Sequence, residues 1–403
     1  MYTRDRQFYD LVGKGLASLG YVSDKEGSAL TKFINDNFAN KYNAEKTFAQ
    51  LGFSLNPNIP INPTYEQIEA TIRAYTMAGY VDIDSDGPTK STDGMSLKMG
   101  GLPTFKHEIV LSRKMMREQM MLANAIGGMT SDMEQVVMDL LFNSLDDLLG
   151  GNYNTMKYQR HQIVSNEGKL VINANNNPLG VPVEIDFGVP KKNITKSEWY
   201  TKSKAPKQES AVGETIDPIR VMKDVKRNAE NVDYAPKGGH WEVSKTTWDD
   251  ILMLPYFRSL YVIANRPDIT GTANQQAFAS LIDDKTLKAF IERQIGAPIV
   301  VIDDVSSVES FDKAKKQMKY TNIESFNEGV LAYVPSDLGD VQFGKPIYME
   351  TPGARVALYD GGRTLIRQLF NDDTMTQVVK SEVTGLVVPN KVRWMYYLKI
   401  KKG

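Results

Sequence analysis

Residues 131–166, SDMEQVVMDLLFNSLDDLLGGNYNTMKYQRHQIVSN, constrain this chain more than any other stretch. Met133, Val136, Val137, Leu140, Leu141, Leu145 and Leu148 recur at three- and four-residue spacing and so share one helical stripe. Asp132, Glu134, Gln135, Asp139, Asp146 and Asp147 fill most of the gaps. Ser131 can cap the start, where Asp132 and Glu134 meet the positive end of the helix dipole. Gly150 and Gly151 interrupt the run at a cost of roughly 2 kcal/mol against alanine, which predicts a break or bend. Beyond them Tyr153, Met156 and Ile163 resume an apolar face. A continuous helix would be about 54 Å long, whereas a mean globular helix has about 11–12 residues. The stretch is either the spine of something extended or an ordinary pair of helices in a large domain.

A length of 403 residues allows one large or two to three modest domains. Hydrophobic content of 41% supports a sufficient core and leaves much polar surface. The formal charge is −1, from 48 basic and 49 acidic residues, without the basic excess of a protein that lives by gripping nucleic acid. The absence of cysteine excludes disulfides, thiolate zinc sites and cysteine nucleophiles. The N-terminus, MYTRDRQFYD, lacks an apolar signal core, and no run approaches 18 apolar residues, so no membrane contact is expected.

Along the chain, residues 6–19 and Ser28–Phe38 read as short amphipathic helices, the first ending at Gly20. Residues 56–63, NPNIPINP, hold three prolines and exclude regular structure. Residues 64–78 read as a helix capped by Thr64, with Ile68, Ile72 and Tyr75 on one face. This N-terminal part is either a small helical domain or an arm reaching a neighbouring subunit. Residues 82–101 are crowded with Gly, Ser, Thr, Asp and Lys between strand-like residues 80–83 and 105–111. Such a stretch is uncommon inside a compact domain; as a projecting hairpin it stays wet on both faces until a neighbour covers it. Lys169–Ile172 and residues 183–187 are short strands around the turn cluster NANNNPLG. Residues 191–213 are polar, with Trp199 and Tyr200 as anchors. Helix and strand then alternate. Residues 217–228 form a helix, 241–243 a strand, and a helix capped by Thr246 or Thr247 ends near Pro255. Asp284–Ile295 is a helix closed by Gly296, residues 298–304 are a buried β-branched strand, and residues 329–334 are another strand. Residues 345–403 read as strands and turns, and 392–400 as a half-buried strand with Val392, Trp394, Tyr396, Leu398 and Ile400 on one side.

Catalytic signatures are missing. His107, His161 and His240 are far apart in sequence, and KHEIVLS is not HExxH, so structural histidines are expected. No glycine-rich phosphate loop, GxGxxG or GxSxG occurs. VVIDD at 300–304 resembles the acidic strand end of an ATPase; the bland reading is a core strand whose Asp303 and Asp304 begin a loop. The pairs Asp146–Asp147, Asp249–Asp250, Asp283–Asp284 and Asp372–Asp373 lack glycosidase spacing, and at least two are expected at helix starts. Arg113, Lys114 and Arg117 form a basic cluster that reads as a solvated face rather than a DNA contact. No catalytic, cofactor-binding or metal-ligating residue is assigned, and no cofactor is expected.

Between Gly79 and Trp199 the sequence resembles the major capsid proteins of lambda-like tailed bacteriophages, the major capsid protein E family. A Gly/Ser/Thr-rich loop leads into TFKHE at 104–108, and a long acidic–aliphatic helix ends at Gly168 and Lys169. VEIDFG follows at 183–188, then Asn193, Ile194, Thr195 and Trp199, and Asp217 with Pro218 opens a helix. The C-terminal third is similar only in its helix and strand rhythm, and the first 60 residues show no match. The resemblance implies an α+β Hong Kong 97-type capsid fold. Residues 1–78 would be an N-terminal arm or helical region, 79–115 the extended loop, 116–189 and 376–403 the peripheral domain with its spine helix at 131–166, and 190–375 the axial domain. It implies a shell subunit that assembles with itself into hexamers and pentamers, in a virion formed in the bacterial host cytoplasm. Portal, scaffold or decoration proteins and weak, non-specific contact with packaged double-stranded DNA are the implied partners. Lys98, Lys106 and Lys114 are candidates by loop position for the lysine–asparagine cross-link of some relatives, although a decoration protein is the favoured device. An encapsulin-like compartment shell is the alternative reading, and an enzyme using Asp303 and Asp304 is another.

Overall fold

A computed structural model describes residues 7–22, 28–69, 96–111, 114–115, 118, 121, 133–177, 181–200, 212–213, 215–231, 236, 238–269, 271–312, 317–346, 355–371 and 376–401. The core of the expected extended loop, the continuation of the expected helix through Ile72 and Tyr75, Arg113, Arg117 and the Asp372–Asp373 pair lie outside these residues. The architecture mixes helices with mostly antiparallel sheets, the expected α+β class. The chain divides into two compact units, residues 1–66, 99–157 and 340–388, and residues 67–98, 158–339 and 389–403.

In the first unit, β1 (Phe53–Leu55), β13 (Gly339–Phe343), β16 (Thr376–Pro389), β15 (Thr364–Asn371) and β14 (Arg355–Tyr359) lie side by side, and β4 (Thr104–Leu111) also pairs with β16. Along β16 the residues alternate: Val379, Ser381 and Val383 are buried, while Val378, Lys380 and Glu382 are only half-buried. Among the described residues one face of this sheet is therefore more deeply buried than the other. The cover on Ser381 is the long helix α4 (Met133–Ser165), whose Asn152 Nδ2 donates to Ser381 Oγ at 3.1 Å. The N-terminal helices α1 (Gln7–Ser18), α2 (Ser28–Phe38) and α3 (Ala44–Gln50) belong to the same unit. Leu30, Phe33, Ile34 and Phe38 of α2 are buried, and Asn35 Nδ2 donates to Leu358 O of β14 at 3.4 Å.

The expected break at Gly150 and Gly151 is absent: α4 runs unbroken for 33 residues. Close packing explains the two glycines. A Cβ on Gly150 would lie 3.0 Å from the Tyr42 hydroxyl oxygen, and one on Gly151 would lie 3.4 Å from the His107 ring. Tyr42 donates to Asp146 Oδ1 at 2.8 Å, and Lys41 reaches the same carboxylate at 2.7 Å. Tyr153 donates to Tyr42 O at 3.2 Å, and Tyr359 donates to Phe38 O at 2.9 Å. The small residues thus admit a neighbouring segment rather than mark a hinge.

In the second unit five strands follow the order β7 (Ile194–Tyr200), β17 (Tyr396–Lys401), β12 (Val330–Val334), β8 (His240–Ser244) and β9 (Ile299–Ile302). β7 runs parallel to β17 and β8 parallel to β9, and the two inner pairings are antiparallel. Around this sheet lie α5 (Pro218–Glu230), α6 (Lys245–Met253), α7 (Pro255–Asn265), α8 (Thr272–Ser280) and α9 (Asp284–Ile295). Trp199, Trp241, Leu331, Phe290 and Leu398 are part of one buried cluster. Asp217 caps α5, accepting from Arg220 N, and Gly296 closes α9 in the left-handed conformation, both as expected. Two hairpins complete the unit: β5 (Lys169–Ile172) with β6 (Val183–Asp186), and β10 (Val305–Asp312) with β11 (Gln317–Glu324).

Five local expectations are corrected. The expected helix from residue 64 begins instead as β2 (Thr64–Glu69), paired with β3 (Ser96–Gly101). The Gln342 side chain accepts from Glu66 N at 2.9 Å and donates to Glu66 O at 2.7 Å, engaging groups that a helix would use internally. Helix α6 is capped by Ser244, not Thr246 or Thr247, and Pro255 starts the next helix rather than ending this one. Among the described carboxylate pairs only Asp283–Asp284 sits at a helix start; Asp146–Asp147 and Asp249–Asp250 are inside helices. The 299–302 strand is a half-exposed sheet edge rather than a buried strand, with Val300 open to solvent. Residues 392–394 form a 3-10 turn, and β17 is an inner strand buried on both faces, so its alternation does not mark a wet side.

Candidate functional site

The last turns of α4, read as YQRHQIVS, would suit a solvated helix end. In the second unit Gln159, Arg160, His161, Gln162 and Ser165 are nevertheless all buried. A buried guanidinium needs a partner, and β8 supplies one. Glu242, on a strand flanked by β12 and β9, receives both Arg160 Nη atoms, the Nη2–Oε1 distance being 2.5 Å. His240 Nε2 lies 2.8 Å from the same carboxylate. Burial alone would raise the Glu242 pKa, but the Arg160 charge and the hydrogen bonds from His240 and Arg160 outweigh it and hold the carboxyl well below the usual range.

His161 extends the network to the surface. Its Nδ1 lies 3.3 Å from Arg160 Nη1, which can only donate, so Nδ1 accepts and the proton of the neutral ring sits on Nε2. That Nε2 donates to Asp304 Oδ2 at 2.9 Å. Burial pushes the imidazole pKa down and the adjacent guanidinium adds to this, against the opposing pull of the Asp304 hydrogen bond. The ring has no solvent exposure, whereas half of the Asp304 side chain is exposed. The geometry fixes a helix end against a sheet. A nearby Gln162 Nε2 donates to Ser325 O at 3.1 Å, doing the same at the root of β11.

The residues of the enzyme reading divide accordingly. Asp304 is engaged by His161, while Asp303 is exposed, and β9 passes through both into the β10 hairpin rather than into a helix. Among the described residues no three His, Cys, Asp or Glu side chains are grouped to hold a metal ion.

The cross-link candidates are each engaged. Lys98 donates to Phe187 O at 3.0 Å. Lys106 pairs with Glu382 at 3.0 Å, and Lys114 pairs with Glu118 at 3.7 Å while staying largely exposed. Around Lys106 the less buried face of the first unit's sheet forms a groove of about 340 Å³ among the described residues.

No family model and no curated protein matches the sequence. Solved structures do. A protein assigned as a capsid protein of an E. coli CFT073 prophage aligns over 94% of this chain and 100% of its own length, at 14% identity and a TM-score of 0.51. A phage-related protein from Bordetella bronchiseptica RB50 aligns over 91% and 95% at 10% identity and a TM-score of 0.43. A virus-like particle protein from Pyrococcus furiosus aligns over 99% and 99% at 8% identity and a TM-score of 0.36. This chain has the Hong Kong 97-type fold.

Within its Hong Kong 97-type fold, the Arg160–Glu242 pair is the feature that sequence reasoning missed. The signal available was weak: an acidic residue in the apolar strand HWEVS, and an arginine beside a histidine on a helix. Neither residue type announces its partner at 82 residues' separation.

Proposed function

We infer that this chain is the major capsid protein of a tailed bacteriophage, a subunit that assembles with copies of itself into the icosahedral shell around the DNA genome. The observation that carries the reading is the likeness, over nearly the whole chain, to the full length of a protein assigned as a prophage capsid protein. The 33-residue length of α4 suits the spine of a tiling subunit, each of whose specific interfaces needs roughly 1,000 Å². A net charge of −1 limits repulsion among many copies.

On this reading the unit built on β13–β16 and the first part of α4 corresponds to the peripheral domain, the five-stranded unit to the axial domain, and the interval around residues 70–95 to the extended loop. Portal, scaffold or decoration proteins and sequence-independent contact with double-stranded DNA are the partners, and the virion, assembled in the bacterial cytoplasm, is the location. The role is structural rather than catalytic. The test is negative-stain microscopy of the purified protein across a concentration series. Closed shells or rings of five and six subunits are expected; a monomer at every concentration overturns the reading, and particles that enclose host enzymes turn it to a compartment shell.

A further inference from the structure

The β10–β11 ribbon of the second unit pairs with no other strand among the described residues. Its outward row, Val305 opposite Glu324, Ser307 opposite Asn322 and Glu309 opposite Tyr320, is exposed throughout. A two-stranded ribbon is marginal in water by itself, so the contacts at its root decide where it points. Two consecutive residues of the last turns of α4 hold that root. His161 Nε2 donates to Asp304 Oδ2 at 2.9 Å, immediately before β10. Gln162 Nε2 donates to Ser325 O at 3.1 Å, immediately after β11, and lies 3.3 Å from Asn327 Oδ1. Ser325 N closes the root on Asp304 O at 3.2 Å, the Ser306 and Ser325 hydroxyls meet at 3.0 Å, and Thr246 of α6 donates to Glu324. Of the side chains at this root the imidazole alone has an ordinary pKa between about 5 and 8.

Charged groups face the His161 ring from each element packed on it: Arg160 from α4, Glu242 from β8 and Asp304 from the β9–β10 junction, with His240 on the far side of Glu242. The neutral ring fits them, because Nδ1 accepts from Arg160 and Nε2 donates to Asp304. A second proton has only Nδ1 to occupy, and there it would point an N–H at a guanidinium nitrogen 3.3 Å away. Arg160 is not free to turn aside, since Glu242 holds both its Nη atoms. The ring is wholly buried whereas Asp304 is half exposed, so the route that brings a charged ring to water runs past Asp304, the first residue of the ribbon root. We propose that His161 is a proton-operated catch: neutral, it seats the β10–β11 ribbon against the end of α4, and charged, it leaves Arg160 and frees the ribbon root. The catch belongs to the single subunit and does not depend on the shell-forming function inferred above.

The test is hydrogen exchange on the full-length chain at pH 7 and pH 5.5, with rates corrected for the intrinsic pH dependence of amide exchange. With the freed ring titrating at its ordinary 6.5, root opening becomes up to about eightfold more frequent at the lower pH. Peptides spanning β10, β11 and Ser325 are expected to lose protection by about that factor, while those of β12 and β17 stay at least about tenfold slower, which marks local opening rather than unfolding. His161→Gln keeps an acceptor for Arg160 and a donor for Asp304 but takes up no proton, and it should remove the pH effect. An unchanged ribbon at pH 5.5, a His161→Gln ribbon that responds like the wild type, or β12 and β17 exchanging in step with the ribbon each overturns the proposal. Circular dichroism establishes that the variant folds. A second measurement needs no variant: nitrogen-15 NMR of the imidazoles should show the His161 proton on Nε2 at pH 7 and a second on Nδ1 over the range in which ribbon exchange rises. Charging of His161 with no change at the ribbon also refutes the catch. Neither readout involves particle formation, so a chain that never assembles leaves the catch standing, and an unresponsive ribbon leaves the shell reading standing.

Discussion

Glu242→Gln isolates the buried clamp on the end of α4. The substitution keeps volume and hydrogen-bonding capacity but leaves the Arg160 guanidinium, 3% exposed, without its counter-charge. Breaking such a pair from one side costs about 3–5 kcal/mol, a factor of about 10²–10⁴ in the unfolding equilibrium. Replacing both residues, Arg160→Met with Glu242→Met, is expected to cost far less or to stabilise, because no buried charge is stranded. The assay is urea unfolding followed by tryptophan fluorescence. All four tryptophans, Trp199, Trp241, Trp248 and Trp394, lie in the second unit, so the signal reports that unit alone. The same assay has a pH arm. The native Glu242 pKa is depressed, so its stabilisation is present above its ordinary value of 4.5 and is lost as pH falls through the native value. His161 is likewise depressed from 6.5, so the unfolded chain takes up its proton first and stability declines as pH falls below about 6.5. The urea midpoint should therefore drop between pH 7 and pH 5.5. A loss under about 1 kcal/mol for Glu242→Gln, the range of an exposed pair, would mean the site is wet and refute the reasoning. An unchanged or higher midpoint at pH 5.5 would refute the neutral assignment of His161.

Two further outcomes follow from packing. Gly150→Ala gains about 1 kcal/mol of helix propensity but meets the Tyr42 hydroxyl at 3.0 Å. It should stabilise the first unit clearly only in a Tyr42→Phe background, and additive effects in the double-mutant cycle would count against the contact. Gly329→Ala should cost about 2 kcal/mol or more in the fluorescence assay, since φ is +72° and the new Cβ would lie 2.3 Å from Lys401 Cβ. A neutral result would show that the turn relaxes.

Helix α4, α2 and the helices at 218 and 284 were legible because their apolar spacing, caps and closing glycine are local signals. The strand at 64–69 was not, because Gln342, far along the chain, is what engages its backbone. Gly150 and Gly151 misled for a related reason: what fits against a missing Cβ is a tertiary fact, and Tyr42 lies more than 100 residues away. The sequence separation of the histidines hid that His161 and His240 flank one Arg160–Glu242 pair. Lys106 was legible only as a loop-position candidate, because the register of β4, β15 and β16 is what sets it on one sheet face with Lys380 and Arg367.

The position of β17 has a consequence for synthesis. Its Tyr397 pairs in parallel with Ile194 of β7, roughly two hundred residues upstream. At about 5–20 residues per second, β7 emerges from the ribosome some 10–40 s before the strand that must lie beside it. Until then β7 and β12 lack their shared neighbour, and the five-stranded unit cannot present a finished surface.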